Sequence, residues 1–130
     1  MPKSRILVID DEAAIRDSLR MTLEYEGYEF SGAATGQEGL ALAERDPPDL
    51  VLLDVKMPGL DGLSLLKSLR ETGVAVPIFL MTGYDSLQVA QDALTSGANA
   101  YLPKPFDLMH LDRLITEAIG SEDDVMSSAT

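Results

Sequence analysis

The stretch that decides the fold is Ile6-Leu7-Val8-Ile9, which leads directly into Asp10-Asp11. Three further apolar runs also end on a polar residue: Leu50-Val51-Leu52-Leu53 on Asp54, Ile78-Phe79-Leu80-Met81 on Thr82, and Tyr101-Leu102-Pro103 on Lys104. Short apolar runs of this kind are typical of strands buried on both faces of a parallel sheet. Because ligands bind beyond the carboxyl ends of such strands, three carboxylates, a hydroxyl and an ammonium are predicted to meet at one sheet edge.

Helix signals alternate with these strand signals along the chain. Five helices are predicted. The first covers 12–26 and stops at Gly27, the second runs from Thr35 to the Pro47-Pro48 pair, and the third carries Leu63, Leu66 and Leu69 and stops at Gly73. The fourth covers 85–96, and the last has Leu108, Leu111, Ile115 and Ala118 on one side. A weaker strand at 28–33 is predicted to be peripheral, and the last strand is predicted at 100–102. The alternation predicts an α/β fold, a parallel sheet with right-handed crossovers and helices on both faces.

Composition excludes several classes of function. The chain has 130 residues, enough for one domain, and 10 basic against 22 acidic residues give a net charge of −12. That charge argues against direct binding of nucleic acid. It favours cations or a basic partner surface, with simple solubility as the alternative role of the charge. The absence of cysteine excludes disulfides and thiolate metal sites. No segment has the ~20 apolar residues of a membrane span, and the start has no signal-peptide core, so a cytoplasmic protein is expected.

The acidic strand ends predict a metal site. Asp10, Asp11 and Asp54 would repel one another at one sheet edge unless a cation compensated them. Mg²⁺, or Mn²⁺ in its place, suits one or two carboxylates with several waters and room for a phosphate. Asp11 taken alone has the N-cap of the first helix as its alternative role. Capping does not explain Asp10, nor Asp54, which is followed by a turn-rich loop.

Asp54 is also a candidate nucleophile, because an aspartate carboxylate can attack a phosphoryl group and form an aspartyl phosphate. Lys104 is suited to neutralise that anion and Thr82 to donate a hydrogen bond to it. Lys104 lies between two prolines, which fix the backbone that carries its side chain. The peptide bond that precedes Pro105 is a candidate for the cis form.

Four motifs together carry a family resemblance. They are Asp10-Asp11-Glu12, the run from Asp54 to Gly62, Met81-Thr82-Gly83 and Lys104-Pro105-Phe106. In this order and at these separations, they resemble the receiver domain of a bacterial two-component response regulator. The resemblance implies a doubly wound, flavodoxin-like (βα)5 fold with strand order 2-1-3-4-5 over residues 1–120. Residues 121–130 are then an acidic polar tail or the start of a linker.

The resemblance also implies a role for each site residue. Asp54 is the phosphoacceptor of a signalling phosphoprotein. The implied direct Mg²⁺ ligands are Asp11, Asp54 and the main-chain carbonyl of Lys56, with Asp10 acting mainly through water. Thr82 and Lys104 are implied to hold the phosphoryl oxygens.

A switch and its partners follow from the same resemblance. Tyr101 is implied to turn inward as the Thr82 hydroxyl moves onto the phosphoryl group, which changes the α4-β5-α5 surface of the family fold. We hypothesise that Lys56 and Tyr84 lengthen the phosphoryl lifetime by hindering water. His110, the only histidine, is expected on the surface, so the donor histidine is expected on a partner.

The implied donor is a cognate sensor histidine kinase or phosphotransfer protein, and the implied receiver of the signal is an output domain or effector protein. The chain is expected to be a signalling phosphoacceptor and not an enzyme, with only self-phosphorylation and self-dephosphorylation chemistry. Dimerisation on phosphorylation is compatible with this interpretation, although the sequence assigns no interface.

Three other functions compete with this one. A haloacid-dehalogenase-like phosphatase would need a second aspartate two places after the nucleophile, where this chain has Lys56, and a cap domain. A flavodoxin-like cofactor module would need a glycine- and hydroxyl-rich phosphate loop after the first strand, where Asp10-Asp11-Glu12 would repel phosphate. A receiver-fold interaction module that is never phosphorylated would not need the full set of site side chains that this chain has.

Overall fold

A five-stranded parallel sheet forms the centre of the molecule. The computed structural model describes residues 4–54, 56–57, 60–83, 91, 94–95, 97–104 and 107–119, and for 56–57, 60–63, 82–83 and 103–104 it describes the backbone only. The strands are β1 (Arg5–Ile9), β2 (Glu29–Ala33), β3 (Leu50–Asp54), β4 (Ile78–Gly83) and β5 (Ala100–Lys104). The helices are α1 (Ala13–Tyr25), α2 (Gly36–Arg45), α3 (Gly62–Glu71) and the C-terminal helix (Leu108–Ile119). None of these helices is both long enough and apolar enough to span a membrane.

The strand order is β2-β1-β3-β4-β5, and every neighbouring pair is parallel. This order confirms the predicted 2-1-3-4-5 fold. β1 lies between β2 and β3, with Ile9 paired to both Ala33 and Leu53. The carboxyl ends of β1 and β3 are therefore neighbours, and Asp10 follows one while Asp54 ends the other.

Both faces of the sheet are covered by helices, which explains why the strands are continuous apolar runs. One core joins β1, β3 and β4 to α2 and α3; its largest members include Leu7, Ile9, Leu53, Leu65, Leu66, Leu69 and Leu80. The other core joins the opposite faces of the same strands to α1 and the C-terminal helix; its largest members include Ile6, Leu19, Leu23, Leu52, Phe79, Leu111 and Ile115. Successive residues of a strand point to opposite faces, so each strand supplies both cores.

The predicted ends of the first three helices agree with the structure to within two residues. Gly27 and Gly73 follow α1 and α3 with φ of 95° and 94°, the left-handed conformation that glycine adopts without strain. At the start of α2, the Thr35 side chain accepts a hydrogen bond from the Glu38 N–H at 3.1 Å, as the capping spacing predicts. β2 is an edge strand, as expected for the weaker pattern at 28–33.

Three details differ from the sequence expectations. The loop expected at 57–62 contains an antiparallel ribbon of Lys56–Met57 and Leu60–Asp61, and α3 begins at once after it. β5 continues to Lys104, beyond the predicted end at Leu102, because Pro103 and Lys104 pair with the end of β4.

The C-terminal helix is the third difference. It buries Leu111 and Ile115 but leaves Leu108 and Ala118 exposed, so its buried side is narrower than predicted. Of the predicted fourth helix, Gln91, Leu94 and Thr95 are helical, and the remainder of 85–96 lies outside the described residues.

Candidate functional site

Four carboxyl groups converge at the carboxyl edge of the sheet. Carboxylate oxygens of Asp10, Asp11, Glu12 and Asp54 lie within 4.8 Å of one another. The parallel pairing of β1 and β3 brings Asp54 beside the turn that carries the other three. The convergence of the two strand ends, predicted from the sequence, is therefore present in the structure.

Asp10 is held firmly where β1 ends. It is fully buried, its N–H donates to the Ala33 carbonyl at 3.0 Å, and its Oδ1 accepts from the Glu12 N–H at 2.9 Å. Asp54 is also buried, at 4 % exposure, whereas Asp11 and Glu12 are exposed. The cluster thus has a fixed, buried side and an open side.

Asp11 is not the N-cap of α1. The helix begins at Ala13 and its N-cap is Glu12, whose side chain makes no cap hydrogen bond. The capping interpretation of Asp11 is therefore wrong, and its carboxylate is available to the cluster. Glu12 itself is a cluster member that the sequence reasoning did not assign, because its place depends on how the chain turns from β1 into α1.

The chemistry of the cluster suits a hard divalent cation. All four groups offer carboxylate oxygens, the donors that Mg²⁺ and Mn²⁺ prefer, and no nitrogen or sulfur donor belongs to the set. Like charges at these separations repel, and a cation among them removes that repulsion. The donor set therefore fits the ion expected from the sequence.

Arg16 is a second residue that sequence reasoning missed. Its Nη1 donates to the main-chain carbonyl of Asp10 at 2.8 Å, so a cation from α1 contacts the turn that carries the cluster. No pattern in the sequence marks this contact, because it depends on how the chain turns from β1 into α1.

Thr82 and Lys104 lie at the correct strand ends. Asp54 pairs with Met81, so Thr82 is one residue further along β4, and Gly83 pairs with Lys104 on β5. The side chains of Thr82, Lys104 and Lys56 lie outside the described part of the chain, as do Tyr84 and Pro105 entirely. The structure therefore positions the Thr82 and Lys104 backbones at the edge where the carboxylates meet.

Tyr101 lies on β5 opposite Leu80 and is half-buried against the core shared with α2 and α3. His110 is exposed on the C-terminal helix, as expected for a surface residue. Neither residue belongs to the carboxylate cluster.

A cavity of about 680 Å³ lies at the other edge of the sheet, between the ends of α2 and α3. Its lining is mostly apolar and includes Leu40, Ala43, Pro47, Pro48, Val74 and Val76. Pro47 and Pro48 shortly precede β3, and Val74 and Val76 shortly precede β4, so the cavity is at the amino edge. It is separate from the carboxylate cluster and shares no residue with it.

Comparisons with known proteins agree with this geometry. The model of the response regulator receiver domain family matches residues 6–116. Response regulator MprA of Mycolicibacterium vanbaalenii is 49 % identical over 107 residues, which cover 82 % of this chain and 46 % of that protein. MprA of Mycobacterium avium is 44 % identical over 128 residues, covering 96 % and 56 %. The chain thus spans about half the length of these curated relatives.

Solved structures show the same fold. A CheY-like receiver domain protein from Methanospirillum hungatei aligns with a TM-score of 0.86 and 39 % identity, covering 91 % of this chain and 94 % of that one. The receiver domain of NtrX from Brucella abortus aligns with a TM-score of 0.84 and 33 % identity, covering 90 % and 99 %.

Proposed function

This chain belongs to the response regulator receiver domain family, and from that premise we propose that Asp54 accepts a phosphoryl group from a partner histidine kinase in the presence of Mg²⁺. The observation that carries the proposal is the convergence of the buried Asp54 carboxylate with those of Asp10 and Asp11, within 4.8 Å. A carboxylate held beside a cation site is suited to attack phosphorus. The acceptor role is general in the family.

The reaction moves a phosphoryl group from nitrogen to oxygen. An Asp54 carboxylate oxygen attacks the phosphorus of a phosphohistidine, and the P–N bond breaks with its electron pair left on the histidine nitrogen. The exposed Asp11 and Glu12 leave one side of the cluster accessible to a donor protein. Buried Asp54 has few water molecules to displace before it reacts.

The residues that would hold the ion are Asp11, Asp54 and the Lys56 main-chain carbonyl, with Asp10 acting through water. When bound, Mg²⁺ supplies positive charge that offsets the carboxylates and the phosphoryl oxygens. Glu12 adds a carboxylate at the open side of the same cluster. The Lys104 ammonium is proposed to neutralise a phosphoryl oxygen and the Thr82 hydroxyl to donate a hydrogen bond to another.

The signal is proposed to pass through Thr82 and Tyr101 to the surface formed by the fourth helix, β5 and the C-terminal helix. Tyr101 is half-buried beside Leu80, two residues before Thr82 on β4, which supports a packing response to a change at Thr82. Lys56 and Tyr84 are proposed to slow hydrolysis of the aspartyl phosphate by hindering water.

The signal is proposed to be read by an output domain or an effector protein. The relatives are about twice as long as this chain, which supports an attached output domain. We place the protein in the cytoplasm as a signalling phosphoacceptor, with no chemistry beyond its own phosphorylation and dephosphorylation. Dimerisation on phosphorylation and a cis bond before Pro105 belong to the same proposal.

The deciding experiment measures intact mass after incubation with acetyl phosphate and Mg²⁺. The wild-type protein is expected to gain one phosphoryl group, and Asp54→Asn is expected to gain none. Asp17→Asn, an exposed acid on α1, is the matched control and should react like the wild type. No gain in the wild type, under conditions where another receiver domain reacts, would overturn the proposal. Continuous phosphate release from unrelated phosphoesters would instead indicate a phosphatase.

A further inference from the structure

Arg16 lies half-buried on the first turn of α1, beside the carboxylate cluster but outside it. Its Nη1 donates to the Asp10 carbonyl at 2.8 Å, and its own N–H donates to the Glu12 carbonyl at 3.1 Å. One residue thus binds the turn at two points, on either side of Asp11. The turn that presents three of the four carboxylates is clamped to the helix that follows it.

The Arg16 hydrogen bond adds to one within the turn itself, from the Glu12 N–H to Asp10 Oδ1 at 2.9 Å. The N-cap residue Glu12 makes no side-chain cap bond, so the usual local fastening of a strand-to-helix turn is missing. On the strand side, Asp10 is fixed to β2 through its N–H. The Arg16 guanidinium adds a hydrogen bond from α1 to the Asp10 carbonyl, and a hydrogen bond from a charged donor is stronger than a neutral one.

The stem of Arg16 is itself held in place. A Cβ atom built on Gly32 of β2 would lie 3.7 Å from Arg16 Cδ, an ordinary packing distance, so the stem passes over the glycine. The hydrogen bond to the Asp10 carbonyl restricts the rotamers of Arg16, and the stem lies beside β2 at Gly32.

We propose that Arg16 is a positioning residue for the cation site: by holding the Asp10 carbonyl it aims the carboxylates of Asp10 and Asp11. The inference rests on the proposed function, because it concerns the Mg²⁺ of that same site. Outer residues that orient metal ligands typically change metal affinity by about 10- to 100-fold when they are removed.

The sign of the effect separates positioning from charge. Arg16 is a cation near a cation site, so loss of its charge alone would strengthen Mg²⁺ binding. Loss of its hydrogen bond to Asp10 would release the turn and weaken Mg²⁺ binding. Weaker Mg²⁺ binding by a neutral variant of Arg16 therefore indicates the loss of positioning. Salt screening reduces the effect of the charge on Mg²⁺ affinity but does not reverse its sign.

The experiment is a Mg²⁺ titration of the unphosphorylated protein, followed by backbone amide chemical shifts in nuclear magnetic resonance spectra. Arg16→Gln is expected to raise the dissociation constant about tenfold, and Arg16→Lys, which keeps the charge and a donor, is expected to lie between it and the wild type. Arg20→Gln is the matched control, because it removes the same charge one turn further along α1. The Arg20 guanidinium lies 3.6 Å from the Asp17 carboxylate. Its dissociation constant should stay within twofold of the wild-type value.

Each other outcome counts against the inference. Unchanged or tighter binding by Arg16→Gln would overturn it while leaving the proposed function intact, as would equal weakening by Arg20→Gln. If the wild type did not bind Mg²⁺, both this inference and the proposed function would be overturned. Should Arg16→Gln fail to fold in Mg²⁺-free buffer, Arg16→Lys decides: binding as tight as the wild type contradicts the proposal, and weaker binding supports it.

Discussion

Asn99 and Ile78 are joined by two hydrogen bonds that run in opposite directions. The Asn99 N–H donates to the Ile78 carbonyl at 2.8 Å, and the Ile78 N–H donates to the Asn99 side-chain oxygen at 3.0 Å. That same oxygen accepts from Arg70 Nη2 at 2.9 Å. The starts of β4 and β5 are thus fixed to each other and to the end of α3, at the sheet edge opposite the carboxylates.

Arg70→Met is expected to lower the free energy of unfolding by about 2–4 kcal/mol, because several hydrogen bonds from a charged donor are lost. Besides Asn99, Arg70 donates to the carbonyls of Val74, Val76 and Gly97, at 2.7, 2.7 and 2.8 Å. Urea unfolding measures the loss, with Lys67→Met, exposed on the same helix, as the control. A loss for Arg70→Met no larger than that of the control would contradict the prediction.

The same loss should be independent of pH near neutrality. Burial lowers the pKa of the Arg70 guanidinium below its ordinary value. Desolvation of the charged guanidinium destabilises the folded protein at every pH at which the group is protonated in both the folded and the unfolded state. This destabilisation is lost only as the pH rises above the folded-state pKa. Arginine stays protonated throughout the accessible range, so unfolding curves at pH 6 and pH 8 should give the same difference. A difference that changes between these pH values would count against this interpretation.

Asn99→Asp is expected to stabilise the protein by up to about 1 kcal/mol. A carboxylate oxygen can still accept the hydrogen bonds from the Ile78 N–H and from Arg70 Nη2, and the substitution adds a negative charge opposite Arg70. The gain should shrink in high salt, because part of it comes from a partly exposed ion pair. Chemical unfolding at low and at high salt tests both statements. A destabilised variant at low salt would show that the amide N–H₂ group makes an indispensable contact.

Asp11→Asn is expected to raise stability in Mg²⁺-free buffer by up to about 1 kcal/mol, because it removes one of four like charges that lie close together. The same variant should gain less from added Mg²⁺ than the wild type, since a weaker site stabilises the folded state less. Melting temperatures with a chelator and with excess Mg²⁺ give both quantities. Asp17→Asn, outside the cluster, should change neither.

Gly39→Ala is expected to lower the free energy of unfolding by about 1–2 kcal/mol, despite the better helix propensity of alanine. The added methyl would lie 2.5 Å from Ile9 Cδ1 and 2.8 Å from its Cγ1, inside the core between α2 and β1. Ile9→Val removes the nearer atom. The double variant should therefore lose less than the sum of the two single losses, and simple additivity in urea unfolding would exclude the clash.

The sheet was predictable from sequence because its strands are buried on both faces and so are continuous apolar runs. The cap at Thr35 was predictable because it is local. The extent of β5 was not: Pro103 lacks an N–H and suggested an end, but β5 pairs with β4 alone in the described sheet, and an edge strand tolerates proline.

The carboxylate cluster was predicted through topology, since parallel strands bring Asp10 and Asp54 to one edge. Glu12 and Arg16 could not be placed in the same way. Their contacts depend on how the chain turns from β1 into α1, which is set by packing against β2 and not by a repeating pattern.

The carboxylates of the site and Lys104 are also synthesised at different times, and the strand order separates them in the same way. The first three strands along the chain are contiguous in the sheet, in the order β2-β1-β3, and with the turn after β1 they contain all four clustered carboxylates. β4 and β5 are then added outward on one side only, and Lys104 is at the end of the last of them. A nascent chain therefore holds the negative half of the site before the strand with Lys104 has been made. During that interval, only cations from solution and the basic residues that precede Lys104 are present to balance those charges.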